Sequence, residues 1–311
     1  MTELPTAVIV SYHPPAGFAQ RLRAVLAQTA RILIVDNGAG DLAELASLDT
    51  DARARVQVID SGGNIGLAAA LDLGIAAARQ QGARQVLLLD HDSTPAADMV
   101  SQLLRARAAA PEPSLIAVVV PQIRYAHPDI RCRWPAAQPQ QRLRFAFAYA
   151  TQMRAPQPVL LAIGSGMLLD VAIWQRLGGF DARLFIDLVD TEYCLRARAQ
   201  GFTILAAPRA QLAHALGDVE KRRALGLDMF PTHHSPLRHY YLSRNRCVLM
   251  RRYALSQPNW LIYETLGALK LTLKVALFEP GRLHKFAAML RGTRDGLRMA
   301  LRDPGAPHGH V

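Results

Sequence analysis

Along the first ninety positions, apolar residues gather in short continuous runs with helical patterns between them. Ala7–Ser11, Ile32–Val35, Val56–Ile59 and Val86–Leu89 are four such runs, and helices are predicted over Phe18–Ala30 and the alanine-rich Ile65–Arg79. Runs this short suit strands, and their lack of polar alternation means that both faces are covered. The pattern predicts βαβ units and a Rossmann-like, mostly parallel central sheet flanked by helices, an α/β fold. Asp36, Asn64, Asp90 and Asp92 fall at or just beyond the carboxyl ends of these runs, where open α/β sheets bind their ligands.

The pattern then weakens. From about Tyr125 to Pro158 the chain is rich in Pro, Gln and Arg, which predicts a loop-rich insertion with one strand or hairpin around Arg144–Thr151. Regular structure returns over Val159–Leu169, a helix starts near Val171, and another covers Asp190–Gln200 before Gly201. The last hundred residues read as basic helices, and the tail at 303–311 (DPGAPHGHV) is expected to fray.

Composition narrows the partners. Half of the 311 residues are apolar and the net charge is +11, so a real core is expected together with an anionic partner: nucleic acid, acidic lipid or a phosphorylated substrate. Cys132, Cys194 and Cys247 are far apart and form no CxxC pair, which argues against a zinc ribbon or a disulfide framework and predicts a reducing, cytoplasmic setting. The most apolar stretch, Trp260–Phe278, is interrupted by Glu264, Lys270 and Lys274, so no transmembrane helix is expected.

Asp90-His91-Asp92 follows the run VLLLD. Two carboxylates so close at a strand end can face one divalent cation, and such a cation bridges carboxylates to phosphates; the competing reading has Asp92 or Ser93 capping a following helix. SGGNIG leads into a helix whose first amides could receive phosphate oxygens, or is simply a tight turn. Asp187, Asp190 and Glu192 lie within six residues beside Phe180, Phe185 and Ile186. One of them could act as a general base, or they serve as a helix cap and as partners for Arg196 or Arg198. His214 could ligate a metal or be structural. The tyrosines and arginines between Arg238 and Tyr253 suit a nucleic acid, a diphosphate or an anionic lipid surface.

The linked order VIVSYHP, ILIVDNGAGD, GGNIGLAAALDLGI, LLLDHDS, IGSGMLLD, GGFDARLFIDLVDTEYCLRARAQGF, LAHALGD and SPLRHYYLSRNR resembles family 2 inverting glycosyltransferases of the GT-A fold. More narrowly it resembles the bacterial rhamnosyltransferase branch that uses dTDP-L-rhamnose, over about residues 7–255. The resemblance implies that Ser11, Asp36, Asn64, Gly66, Asp90 and Arg244 bind the donor. Asp90 and Asp92, with His214 near the diphosphate, would hold Mg²⁺ or Mn²⁺. Gly164, Ser165 and Gly166 would form the acceptor wall, joined by Asp187 and Glu192, and Asp190 would be the catalytic base. Two departures stand out: His91 replaces the usual Gln between the aspartates, and Asp72 replaces an Asn of the alanine-rich helix.

On this reading residues 1–255 form the GT-A domain, with a nucleotide-binding half at about 1–122 and an acceptor-binding, catalytic half at about 123–255. Residues 256–302 would be a basic helical extension, at a membrane surface or in a homo-oligomer, and 303–311 a flexible tail. The expected acceptor is a cell-surface glycan or lipid-linked glycan, with the enzyme at the inner face of the cytoplasmic membrane. Other classes are a UDP-sugar transferase, a nucleotide-sugar-binding scaffold and a nucleic-acid-binding protein. The last leaves the acidic motifs unexplained, so no nucleic-acid partner is expected, and the absence of GxGxxG disfavours a dehydrogenase.

Overall fold

The computed structural model describes residues 3–125, 127, 129–136, 146–214, 221–224 and 226–302. They divide into two compact bodies. The first takes the described residues of Met1–Trp134, Phe147–Phe185 and Val189–Ala215, and the second those of Pro135–Ala146, Ile186–Leu188 and Leu216–Val311.

The first body is built on a nine-stranded sheet. β1 (Thr6–Ser11), β2 (Arg31–Asp36), β3 (Val56–Asp60) and β4 (Gln85–Asp90) contain the four apolar runs and lie parallel in the order β3-β2-β1-β4. Ile32 to Val35 are fully buried, as strands covered on both faces must be. Helix α1 (Phe18–Leu26) buries Phe18, Leu22, Val25 and Leu26, a single stripe at helical spacing. Each such fully buried side chain is worth about 1.5–3 kcal/mol. α1 is shorter than predicted because Thr29 Oγ1 donates back to the Val25 carbonyl at 2.9 Å, and the Ala30 amide turns to the Pro5 carbonyl. The short α2 (Thr50–Ala54) is capped by Asp49. α3 (Leu67–Gln80) lies on β1 and β2 through Gly74, where any Cβ would come within 2.5 Å of Val8.

Beyond β4 the sheet changes character. β5 (Ser93–Pro95) leads to α4 (Met99–Ala108) and then to the ten-residue β6 (Ile116–Tyr125). β7 (Arg133–Pro135) and β8 (Phe147–Tyr149) make a separate ribbon; β8 lies within the hairpin expected around Arg144–Thr151, of which residues 144 and 145 fall outside the described ones. β9 (Gln157–Val159) and β10 (Leu168–Asp170) follow, then α5 (Val171–Leu177), α6 (Val189–Ala199) and the twelve-residue β11 (Thr203–His214). β10 sits antiparallel between β4 and β6, while β11 runs parallel to β6 and carries β9 and β5 antiparallel.

The sequence pattern missed the two longest strands. β6 contains Pro121 and β11 contains Pro208, and proline within an apolar run argues against a central strand. β11 accommodates Pro208 at a register shift between Ala207 and Gln211. The expected continuous element over Val159–Leu169 is instead broken between β9 and β10 by the turn at Gly164–Gly166.

The second body contains the β12–β13 hairpin (Arg222–Ala224 and Leu227–Met229) and three helices: α7 (Pro236–Tyr253), α8 (Pro258–Phe278) and α9 (Arg282–Arg302). Ser235 caps α7 ahead of Pro236. α9 packs on α7 with Ala288, Gly292, Gly296 and Ala300 buried. A Cβ at Gly292 or Gly296 would collide with the Tyr240 or Arg244 backbone. The boundary expected after residue 255 therefore falls inside this body, because glycine contacts tie α7 to α9. The tail at 303–311 lies outside the described residues. No helix among the described residues is long and apolar enough to cross a membrane.

Candidate active site

The carboxyl end of β4 delivers the first acidic motif. Asp90 closes β4, and Ser93 opens β5 two residues after His91. β5 pairs with the end of β11, placing Ser93 opposite His214. The pairing fixes the outcome: Asp92 Oδ1 lies 3.4 Å from His214 Nδ1. The alternative in which Asp92 or Ser93 caps a helix is wrong, since the chain goes straight into β5. Ser93 Oγ lies 2.8 Å from both His214 Nδ1 and Ser165 Oγ, and Ser165 Oγ accepts the Asp90 amide at 3.3 Å. In the sequence Ser93 stood out only as a possible helix cap, not as part of the site.

Asp90, Asp92 and His214 each offer a ligand atom, all within 4.8 Å of one another. Burial, aided by Asp92 and opposed by His214, raises the Asp90 carboxyl above its usual range. Burial also works against ionised Asp92, yet the His214 contact outweighs it and holds that group low. Burial lowers His91, whereas for His214 the two carboxylates overcome burial and raise it. Asp92 Oδ1 is buried and, beyond the 3.4 Å contact with His214 Nδ1, has no hydrogen-bond partner among the described residues. A buried carboxylate oxygen met only by a long imidazole contact, beside a second carboxylate, is the chemistry a cation satisfies. Two carboxylates and an imidazole fit Mg²⁺ or, with its greater tolerance of nitrogen, Mn²⁺. Arg21 braces the motif by donating from Nε to the His91 carbonyl at 2.8 Å.

The loops after β1, β2 and β3 form the neighbouring edge. Ser11 pairs with Asp36 in the β1–β2 register, and its buried Oγ has no hydrogen-bond partner among the described residues. Asp36 turns its carboxylate into its own loop, accepting from the Ala39 and Gly40 amides. Asn37, buried and unnoticed in the sequence, accepts the Ile65 amide and donates to Asn64 Oδ1, which also accepts the Gly66 amide. Gly66 has φ +84°, and a Cβ there would meet the Phe185 ring at 2.5 Å. The Phe185 carbonyl accepts from Leu67 N at 2.6 Å and from Ala68 N at 3.3 Å. The Leu67 and Ala68 amides of α3 are thus capped by protein, which favours the tight-turn reading of SGGNIG over the phosphate-receiving one.

Gly164, Ser165 and Gly166 turn the chain between β9 and β10. Gly166 sits at φ +82°, where a Cβ would fall 2.5 Å from Pro121. Asp190, in the first turn of α6, accepts the Gly164 amide at 2.9 Å and the Thr191 amide at 2.7 Å. Glu192 points the other way: it is buried and paired to Arg196 at 2.7 Å. Arg196 goes on to donate to the Leu177 and Gly179 carbonyls. Glu192 was expected at the acceptor; here its carboxylate is engaged by Arg196 and anchors α6. Asp72 is likewise structural, accepting from Trp174 Nε1 at 2.8 Å and from the Phe180 amide at 3.0 Å.

Asp187 and Arg244 lie in the second body. Asp187 is bound by the Arg238 guanidinium at 2.5 Å and has φ +64°. Asn245 donates to the Ile186 and Asp187 carbonyls, and Arg244 Nε donates to Asn245 Oδ1 at 2.9 Å while its guanidinium lies over the Tyr241 ring.

Comparison with known proteins agrees with this architecture. The chain is similar to the dTDP-rhamnosyl transferase RfbF of Shigella flexneri, with 27% identity over 253 residues and 79% of each chain covered. Among solved structures it resembles GalNAc-T7 crystallised with UDP, GalNAc and Mn²⁺, at TM-score 0.56 and 18% identity, covering 79% of this chain and 48% of that one. It also resembles S. aureus TarS, at TM-score 0.50 and 12% identity, covering 79% and 40%. The chain spans less than half the length of these two structures, which are alike in fold. The model for glycosyl transferase family 2 matches residues 6–177, more than half of the sequence. With its Asp-x-Asp at the end of β4 inside that match, the chain belongs to glycosyl transferase family 2.

Proposed function

We propose that this transferase moves L-rhamnose from dTDP-L-rhamnose to a hydroxyl of a cell-surface or lipid-linked glycan, with inversion at the anomeric carbon. The observation that carries the reading is the convergence of Asp90, Asp92 and His214 at the carboxyl edge of the sheet. Similarity to a dTDP-rhamnosyl transferase supports the choice of donor. A divalent cation held by these three residues would offset the charge gained by the departing diphosphate.

The chain's own residues divide the remaining work. Ser11 and Asp36 line the nucleoside side, and the Asn37–Asn64–Gly66 network holds that edge in shape. Ser165, bridging Ser93 and the Asp90 amide, keeps the acidic loop against the Gly164–Gly166 turn. Asp190 takes the proton from the acceptor hydroxyl as that oxygen attacks the anomeric carbon. A carboxylate accepts about four hydrogen bonds, so the Gly164 and Thr191 amides orient Asp190 for this task. A lipid-linked acceptor would place the reaction at the cytoplasmic face of a membrane.

Calorimetric titration of the purified chain with dTDP-L-rhamnose, UDP-galactose, UDP-glucose and GDP-mannose, each with and without Mg²⁺ or Mn²⁺, tests the proposal. Metal-dependent binding of dTDP-L-rhamnose alone is the expected result. Preference for a UDP sugar would keep the metal site and remove rhamnose. Equal binding without metal would remove the metal role.

A further inference from the structure

α9 has two apolar faces with different fates. Ala288, Gly292, Gly296 and Ala300 are buried against α7, whereas Leu283, Leu290, Leu297 and Leu301 are 78%, 72%, 56% and 84% exposed. At about 100° per residue, the four exposed leucines fall within roughly 40° of the helix circumference. They form one narrow ridge. Arg294, Arg298 and Arg291 follow on one flank of it and Arg282 on the other, and Asp295 is the helix's single acidic residue. Lys285 plays no part, being buried against Glu279 at 2.7 Å.

We infer that α9 docks the enzyme on an anionic lipid bilayer, its leucine ridge entering the headgroup boundary and its arginines meeting lipid phosphates. An amphipathic helix lying in the interface plane needs this combination of apolar ridge and basic flanks. Charge selects the occupant. A second copy of the chain would bring like-charged arginines together, and Asp295 is already engaged by Arg294 at 3.0 Å and Arg298 at 3.9 Å. α8 also exposes Leu266, Leu269 and Leu277, but its two lysines are engaged by the chain: Lys270 and Lys274 donate to the Asp228 and Phe230 carbonyls. The basic flank needed for an anionic surface belongs to α9. The inference stands on this helix and is independent of the donor sugar.

The full-length chain would be co-sedimented with vesicles of phosphatidylcholine alone and of phosphatidylcholine containing phosphatidylglycerol. Binding to the anionic vesicles only, weakening as salt rises, is expected. Leu290→Gln with Leu297→Gln should lower the partition coefficient at least about tenfold. Arg291→Gln with Arg298→Gln should lower it by about fivefold for each arginine. Since these side chains are exposed, far-ultraviolet circular dichroism and calorimetric donor binding should match the parent. Several results would overturn the inference: no sedimentation, equal binding to neutral vesicles, or leucine variants that bind as the parent does. A dimer in light scattering that the leucine variant splits would also overturn it and make the ridge a subunit seam.

Discussion

Replacing Asp190 with Asn separates its hold on the loop from the proton-accepting role proposed for it. The carboxylate takes one backbone amide on each oxygen, from Gly164 at 2.9 Å and Thr191 at 2.7 Å. An Asn side chain has one acceptor oxygen and one NH₂, so it keeps one of these bonds and sets two donors face to face at the other. An amide left unsatisfied in a half-buried place costs about 1–2 kcal/mol, which would lower the melting temperature by a few degrees in a chain of this size. Against a total stability of about 5–15 kcal/mol, that leaves the protein folded. Loss of a general base removes about 10²- to 10⁴-fold in rate. Release of nucleoside diphosphate from dTDP-L-rhamnose, measured with acceptor-bearing membranes, would report kcat, and calorimetry would report donor affinity. The expected result is a fall in kcat of at least about 100-fold. Donor Kd should stay within about threefold of the parent, since neither amide belongs to the β4 loop. A near-parental rate, or a donor affinity that falls in step with the rate, would refute the assignment.

Other perturbations probe neighbouring groups. Asp92→Asn should weaken Mn²⁺ binding to the protein alone by at least about tenfold in a direct calorimetric titration; an unchanged affinity would count against the ligand set. Glu192→Ala strands Arg196 in a buried position and should destabilise by about 3–5 kcal/mol in urea unfolding, while the folded fraction keeps its turnover; a selective loss of turnover would restore a role at the acceptor. Asp72 is raised mainly by burial, against the hydrogen bonds from Phe180 and Trp174, so ionised Asp72 costs stability above its raised pKa. That cost is relieved as pH falls through the raised value toward the ordinary carboxylate range. Asp72→Asn should therefore be neutral or stabilising at pH 7, with its advantage shrinking on acidification. Unfolding midpoints that are parallel across that pH range would contradict this account.

The first four strands of the fold were legible because β1, β2 and β4 are buried on both faces, which leaves each a nearly unbroken apolar run, and β3, the edge strand, is short and bounded by turn residues. The same rule hid β6 and β11, where Pro121 and Pro208 read as interruptions while the sheet absorbs them. Asp90, Asp92 and His214 were picked out as residue types. Only the family resemblance grouped them; the residue pattern by itself could not, since their meeting depends on β5 pairing with the far end of an unseen strand. By residue type alone the carboxylates in the 187–192 stretch looked equivalent, and only the resemblance set Asp190 apart. Their three-dimensional partners separate them: backbone amides for Asp190, Arg196 for Glu192 and Arg238 for Asp187. The capping of α3 by Phe185 left no sequence signal, because a backbone carbonyl has no residue type.

The acidic loop hangs between two anchors. Its upstream end is fixed where β4 pairs with β1 and β10, and its downstream end where β5 pairs with β11. Adding or removing one residue between Asp90 and Ser93 would shift β5 by one position, and in a strand that turns every side chain to the opposite face. Ser93 would leave His214, and Asp92 would lose its neighbour. Drift and design are therefore free to respell His91 but not to change the length of the loop. A library seeking new donors should randomise His91, whose side chain sits between the anchors, and leave the loop uncut.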